Sequence, residues 1–317
     1  MTPDTRKVQL IGGDYEHTMA LSGVRDGIEI NYVTGSIMDI FRRMIAERAY
    51  EACEFSLSNY IGLKASGADW LHAIPVFPNR NFRHNTLFVR RDSDLNDPRQ
   101  LRNKRIGVQE YSMTAAVWVR GFLNEQYGIH WSELDWYCEA RHRRVSPPEG
   151  ARVMEVSTDI ESLLLAGDVD VIVAFAPQDE KLPISERRLR RLFSNPEEVE
   201  RAYFRETGIY PINHCVVIRQ DLLGRIPEVP ATLFKAYTES KRRAYERGIG
   251  ATMIPWGKRY WTDVLDFFGG DPLRYGMTAG NRKVVGKLIS YLYEQRLIPR
   301  ELPVDDLFVQ DSLTYQE

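Results

Sequence analysis

Two histidines, His84 and His214, stand in segments whose residue types could bind a ligand or move a proton. The first closes the run Pro75-Val76-Phe77-Pro78-Asn79-Arg80-Asn81-Phe82-Arg83-His84. A guanidinium fork matches a carboxylate bidentately, and aromatic faces stack on an arene. Arg80 and Arg83 are therefore candidate carboxylate clamps, and His84 a candidate acid or base. The second histidine ends Tyr210-Pro211-Ile212-Asn213-His214, just before the apolar run Cys215–Ile218. Imidazole titrates near neutrality, so His214 suits proton transfer, although a core histidine has the same sequence signature. Asn213 beside it is a candidate substrate contact.

Three further segments carry donors at expected strand ends. In Gly13-Asp14-Tyr15-Glu16-His17 the glycines allow close backbone approach, and Asp14 can cap a following helix or orient a histidine. Tyr15 is a candidate ligand contact. In Ser56-Leu57-Ser58-Asn59-Tyr60 we expect Ser58 to cap a helix whose free N–H groups can receive a carboxylate. In Val108-Gln109-Glu110-Tyr111-Ser112-Met113-Thr114-Ala115 the Ser112 and Thr114 hydroxyls and the backbone make an anion cradle, or an ordinary acidic capping turn around Glu110.

The elements that must position these groups alternate short apolar runs with helical stretches, the pattern of an α/β protein. Strands are expected at Val8–Ile11, Ile28–Val33, Glu54–Leu57, Leu71–Phe77, Asn85–Val89, Asn103–Val108, Leu134–Tyr137, Val169–Phe175 and His214–Ile218. Helices are expected near Glu16 and at Ile37–Ala46, Ser58–Ala65, Tyr111–Tyr127, Asp159–Ala166, Ala231–Tyr245, Tyr260–Phe268 and Arg282–Gln295. The 317 residues suit two lobes. We expect residues 1–90 with 214–317 in one and 91–213 in the other. Arg141–Arg152 and Glu180–Arg191 read as solvated, charge-dense loops.

Composition narrows the function. Hydrophobic residues make up 43% of the chain, enough for a full core, which excludes global disorder. A net charge of −2 gives no footprint for nucleic acid or membrane. No apolar run nears the length of a membrane span. The start, MTPDTRKVQLIGGDYEHT, carries no secretory apolar segment. The isolated Cys53, Cys138 and Cys215 suggest neither a disulfide framework nor a zinc cluster. We expect a cytoplasmic protein with a small-molecule partner, and self-association stays open.

At these same segments the chain resembles the 4,5-dihydroxyphthalate decarboxylase family. The resemblance runs through Gly13-Asp14-Tyr15, Pro75-Val76-Phe77-Pro78, Phe82-Arg83-His84 and Glu110 to Trp118. It continues at Tyr210–His214 and ends around Phe268–Gly276. It implies a two-lobed fold like that of type 2 periplasmic binding proteins, with a central cleft.

The implied activity is non-oxidative decarboxylation of a hydroxylated aromatic dicarboxylate in phthalate degradation, giving protocatechuate from 4,5-dihydroxyphthalate. On that reading His214 and His84 are the acid–base candidates, with His214 ahead. Arg80 and Arg83 clamp the carboxylate that stays, and Ser112 and Thr114 hold the other. Asp14 or Glu110 orients a histidine or accepts the phenol proton. Trp256 and Tyr111 wall the ring. No cofactor is expected. A divalent metal held by Asp14, His17, His84 and His214 is a lesser alternative that no compact motif supports. The competing classes are a non-catalytic solute-binding protein or sensor for an aromatic carboxylate, and an enzyme of pyrimidine or menaquinone-precursor synthesis on the same fold.

Overall fold

Apolar runs bounded by glycine, proline and capping residues assemble into two mixed sheets. A computed structural model describes residues 6–139, 147–250 and 254–317. The chain divides into two compact α/β units. One contains Met1–Arg80, His214–Lys283 and Leu302–Glu317; the other contains Asn81–Asn213 and Val284–Glu301.

The first unit holds β1 (Arg6–Gly12), β2 (Gly23–Arg25), β3 (Ile28–Thr34), β4 (Ala52–Ser56), β5 (Leu71–Ile74) and β12 (His214–Arg219), numbered in chain order. Their order is β2-β3-β1-β4-β12-β5. β3, β1 and β4 run parallel. β12 runs antiparallel to both β4 and β5. The first residue of β12 therefore lies at the carboxyl end of β4, with His214 opposite Ser56.

Against this sheet pack α1 (Ile37–Glu47), α2 (Leu57–Ala65), α6 (Gln220–Arg225) and α7 (Val229–Gly250). α1 buries Ile40, Phe41 and Met44 at helical spacing and stops at Arg48 in the left-handed conformation. A core of Val8, Leu10, Ile28, Ile30, Val216, Ile218, Leu233 and Tyr237 holds sheet and helices together. α8 (Gly257–Phe268) follows α7.

The second unit holds β6 (Leu87–Arg90), β7 (Arg105–Val108), β8 (Asp135–Glu139), β9 (Arg152–Val156), β10 (Val171–Val173) and β11 (Leu189–Arg191), in the order β11-β6-β10-β7-β8-β9. Its helices include α3 (Thr114–Tyr127), α4 (Ile160–Ala166) and α5 (Pro196–Thr207). α9 (Ala279–Glu294) joins it through its later turns. Among the described residues no helix is long and apolar enough to cross a membrane.

Several boundaries differ from expectation. β5 ends at Ile74 because Pro75 and Pro78 cannot donate to the ladder. The helix expected near Glu16 is a single 3-10 turn, Glu16–Thr18. β6 belongs to the second sheet, pairing with β10 and β11. Val284–Glu301 also falls in the second unit. The reason is Tyr291, whose ring sits edge-on to Trp118 and directly over Gly121 of α3. β2, β9, β11, α5 and α6 are not among the expected elements; all are short or rich in charged residues that mask weak apolar patterns, and β2, β9 and β11 are edge strands. Most of Glu180–Arg191 is solvated as expected. Residues 141–146 of the other expected loop lie outside the described residues.

Candidate active site

The site in the first unit grows from strand register. In β4 Glu54 and Ser56 face the same side, as alternate residues must. β12 pairs Val216 with Glu54 and His214 with Ser56, so His214 lies diagonally across from Glu54 on that face. The result is a contact of 2.5 Å between His214 Nδ1 and Glu54 Oε1.

Glu54 is fully buried in an otherwise apolar strand, where an ionised carboxylate needs donors. It has three. Gly13 N donates to Oε2 at 2.8 Å, the Tyr15 hydroxyl donates to Oε1 at 2.9 Å, and His214 supplies the third. Because the carboxylate only accepts, His214 carries its proton on Nδ1 in this pairing. Nε2 is then the nitrogen left for proton exchange. The edge of Phe41 packs on the imidazole at 5.0 Å. Burial and the Glu54 charge raise the Tyr15 phenol far above its ordinary range, so it stays a donor.

The paired glycines make room for this cluster. A Cβ on Gly12 would fall 2.7 Å from the Tyr32 hydroxyl and 3.2 Å from Glu54 Oε2. A Cβ on Gly13 would fall 2.3 Å from the Tyr15 ring. His17 stacks on Tyr15 and bonds through Nε2 to the Pro78 carbonyl at 2.8 Å. Its burial lowers its pKa, so it serves as a neutral strut between two loops.

The other expected groups of this unit have different occupations. Asp14 is exposed, and Tyr15 rather than Asp14 takes the N-cap position of the short turn. Glu54, not Asp14, meets the histidine. Arg80 donates to the Arg274 carbonyl and to the Asn281 side chain, bracing that segment. Ser56, not Ser58, caps α2, because the helix starts one residue earlier than expected; its hydroxyl accepts from Asn59. Ser58 sits buried in the first turn. Trp256 adopts a left-handed conformation just before α8 and is 82% exposed.

In the second unit His84 is a core residue. It stacks on Phe122 at 4.2 Å and bonds through Nε2 to Gln126 at 3.0 Å. Burial pushes its pKa down to about 4, which leaves it neutral at pH 7 and unsuited to the acid role expected of it. Glu110 accepts from both the backbone N–H and the hydroxyl of Ser112, so the acidic capping turn takes up donors expected to cradle an anion. Thr114 opens α3 and is buried. Tyr111 lies beneath the Arg120 guanidinium at 4.0 Å, edge-on to Trp136, within the core.

Arg83 is the notable cation of this unit. It is 6% exposed, its Nε donates to Asn213 Oδ1 at 3.1 Å, and burial lowers its pKa to about 10. Among the described residues it makes no ion pair with a carboxylate; the charges that act on it are the Tyr210 phenol and, less, Glu200. A buried guanidinium without a carboxylate partner is a natural anion receptor. Asn213 is thereby a positioning group for Arg83.

Sequence reasoning missed Glu54 and Tyr32. The available signal was a lone carboxylate inside Ala52-Cys53-Glu54-Phe55, since a charge in a strand buried on both faces must find partners. Among the described residues no group of three His, Cys, Asp or Glu is placed to hold a metal. His17 spends Nε2 on Pro78 and His84 spends Nε2 on Gln126.

Comparison with known proteins gives the class first. The chain has the fold of periplasmic solute-binding proteins. It matches the periplasmic aliphatic sulphonate binding protein SsuA from Escherichia coli with a TM-score of 0.57 and 14% identity, over 96% of this chain and 92% of that one. The ligand-binding component of an ABC-type import system from Staphylococcus aureus matches with a TM-score of 0.58 and 12% identity, over 98% and 99%. At such identities the likeness shows the fold alone.

Sequence comparison gives the family. A 4,5-dihydroxyphthalate decarboxylase from Comamonas testosteroni is 33% identical over 304 residues, 91% of this chain and 91% of that protein. Another, from Pseudomonas putida, is 37% identical over 157 residues, 50% of this chain and 56% of that protein. The chain belongs to the 4,5-dihydroxyphthalate decarboxylase family. No family model matches it.

Proposed function

We propose that this chain is a carboxy-lyase that removes CO2 without oxidation from a hydroxylated aromatic dicarboxylate, taking 4,5-dihydroxyphthalate to protocatechuate. The observation that carries this reading is the Glu54–His214 dyad at the carboxyl end of the first sheet, in a chain of this family.

The chemistry needs an acid aimed at the ring carbon that bears the departing carboxylate. A phenolate para to that carbon pushes electron density into the ring. Protonated His214 gives the Nε2 proton to the carbon, and the ring is briefly a dienone. The C–CO2 bond then breaks, its electron pair restores aromaticity, and CO2 leaves. Overall one proton is consumed and one CO2 released. Glu54 keeps the proton on Nδ1, fixes the ring plane and stabilises the imidazolium that must form before transfer. Tyr15 donates to the same Oε1, and the Gly13 N–H holds Oε2.

Arg83, buried within the second unit, is a candidate receptor for a carboxylate. A clamp on the departing carboxylate would stabilise the ground state and slow its loss. No metal or cofactor enters this scheme. Three buried free thiols, Cys53, Cys138 and Cys215, suit a cytoplasmic setting.

The test is incubation with a panel of phthalates and hydroxybenzoates, following CO2 and the ring product by chromatography. Release of CO2 with protocatechuate from 4,5-dihydroxyphthalate is expected. Tight binding of an aromatic carboxylate with no product would replace the enzyme by a binding protein.

A further inference from the structure

Glu54 places different demands on its two oxygens. Oε1 serves both Tyr15 and His214, whereas Oε2 has only the Gly13 N–H among the described residues. That bond, together with the two on Oε1, fixes the plane of the carboxylate. A rotation of the carboxylate would carry Oε1 away from His214, so the aim of the dyad depends on where Gly13 is held.

Gly13 is held by Tyr32. This residue lies on β3, opposite Leu10 of β1. Its side chain reaches past Gly12, and its hydroxyl donates to the Gly13 carbonyl at 2.6 Å. Thr18 Oγ1 stands 3.1 Å from the same carbonyl, and 2.9 Å from that of Tyr15, with one proton to share. Gly12 is what permits the approach, since its Cβ would strike the Tyr32 hydroxyl before anything else. Burial and the Glu54 charge keep the Tyr32 phenol protonated well beyond its ordinary range, so the donor is permanent.

We propose that Tyr32 is a positioning residue of the reaction: by anchoring the Gly13 carbonyl it aims the Gly13 N–H at Glu54 Oε2 and so holds Oε1 on His214 Nδ1. Among the described residues Tyr32 makes no hydrogen bond to Glu54; it acts through the glycine turn. The kinetic part of this claim rests on the decarboxylase reading, while the geometric part does not.

The experiment uses Tyr32→Phe in the full chain, which keeps the ring and deletes one hydroxyl. Two readouts are taken. The first is the His214 Nδ1–H resonance in the ligand-free protein by 15N-edited NMR. The second is steady-state turnover of 4,5-dihydroxyphthalate. Expected are an upfield shift or exchange broadening of the Nδ1–H signal and a fall in kcat of about 10- to 100-fold, with KM within about twofold. Tyr32→Leu deletes the same hydroxyl without adding an atom beside Glu54 and should give the same pair of changes; it carries the test if Tyr32→Phe does not fold. An unchanged Nδ1–H resonance overturns the proposal, whatever happens to kcat. A shifted resonance with kcat unchanged overturns its catalytic half. A shifted resonance in a protein whose wild type releases no CO2 sinks the decarboxylase reading and leaves the positioning intact.

Discussion

Glu54 Oε1 stands 2.5 Å from His214 Nδ1, although 160 positions separate the two residues in the chain. The pairing of β4 with β12 brings them together, and among the described residues the other titratable side chain bonded to Glu54 is Tyr15.

Removing either member of this dyad tests its role. His214→Asn should abolish turnover while substrate still binds, as measured by calorimetry. Glu54→Gln should lower kcat by about 10²- to 10⁴-fold, because the amide cannot stabilise the imidazolium. CO2 release at the wild-type rate in either variant would remove the dyad from the mechanism.

Arg83 is buried and, among the described residues, has no carboxylate in an ion pair with it. Replacing it by Met should leave the urea midpoint nearly unchanged or raised, since a desolvated charge is replaced by a hydrophobe. KM should rise by roughly tenfold or more, the cost of about 1.4 kcal/mol of lost binding. A large loss of stability with KM unchanged would make Arg83 a structural cation instead.

Two buried groups of the second unit pull stability in opposite directions with pH. His84 has its pKa lowered to about 4, so between pH 6.5 and 4 the unfolded chain binds the extra proton. Stability therefore falls as pH drops through that window, by up to about 3 kcal/mol. Glu200 has its carboxyl pushed up to about 7 by burial, so between pH 4.5 and 7 the folded chain binds the extra proton. Stability falls as pH rises through that window, by a similar amount. Urea unfolding at several pH values should show His84→Gln losing acid sensitivity and Glu200→Gln gaining stability, relative to wild type, near pH 7. Parallel curves for all three proteins would contradict both assignments.

Gly121 sits inside α3, where alanine ordinarily adds about 1 kcal/mol. Here a Cβ would lie 2.1 Å from the Tyr291 ring, itself fully buried. Gly121→Ala should therefore destabilise by about 1–3 kcal/mol through overpacking. Thermal unfolding checks the sign, and a raised midpoint would mean that the ring moves freely.

Much of the scaffold was legible because it is local. Ile37, Ile40, Phe41 and Met44 announce α1 by spacing, and Cys215–Ile218 announces a buried strand by its apolar run. Boundaries slipped where one residue of phase matters, as at α2, where Ser56 rather than Ser58 is the cap. His84 and His214 looked alike, each beside an arginine or asparagine and an apolar strand. Packing separates them: one is stacked against Phe122 with a depressed pKa, the other faces a carboxylate.

The amino-acid order alone determined the alternation of strands and helices, the family and the presence of a histidine at the start of β12, since these depend on neighbours a few positions apart. Only the tertiary structure decided that Glu54 orients that histidine, that Tyr32 and paired glycines hold the carboxylate, and that His84 stays neutral. Each of those outcomes depends on strand register and desolvation across distant segments, and neither quantity has a local signature in the chain.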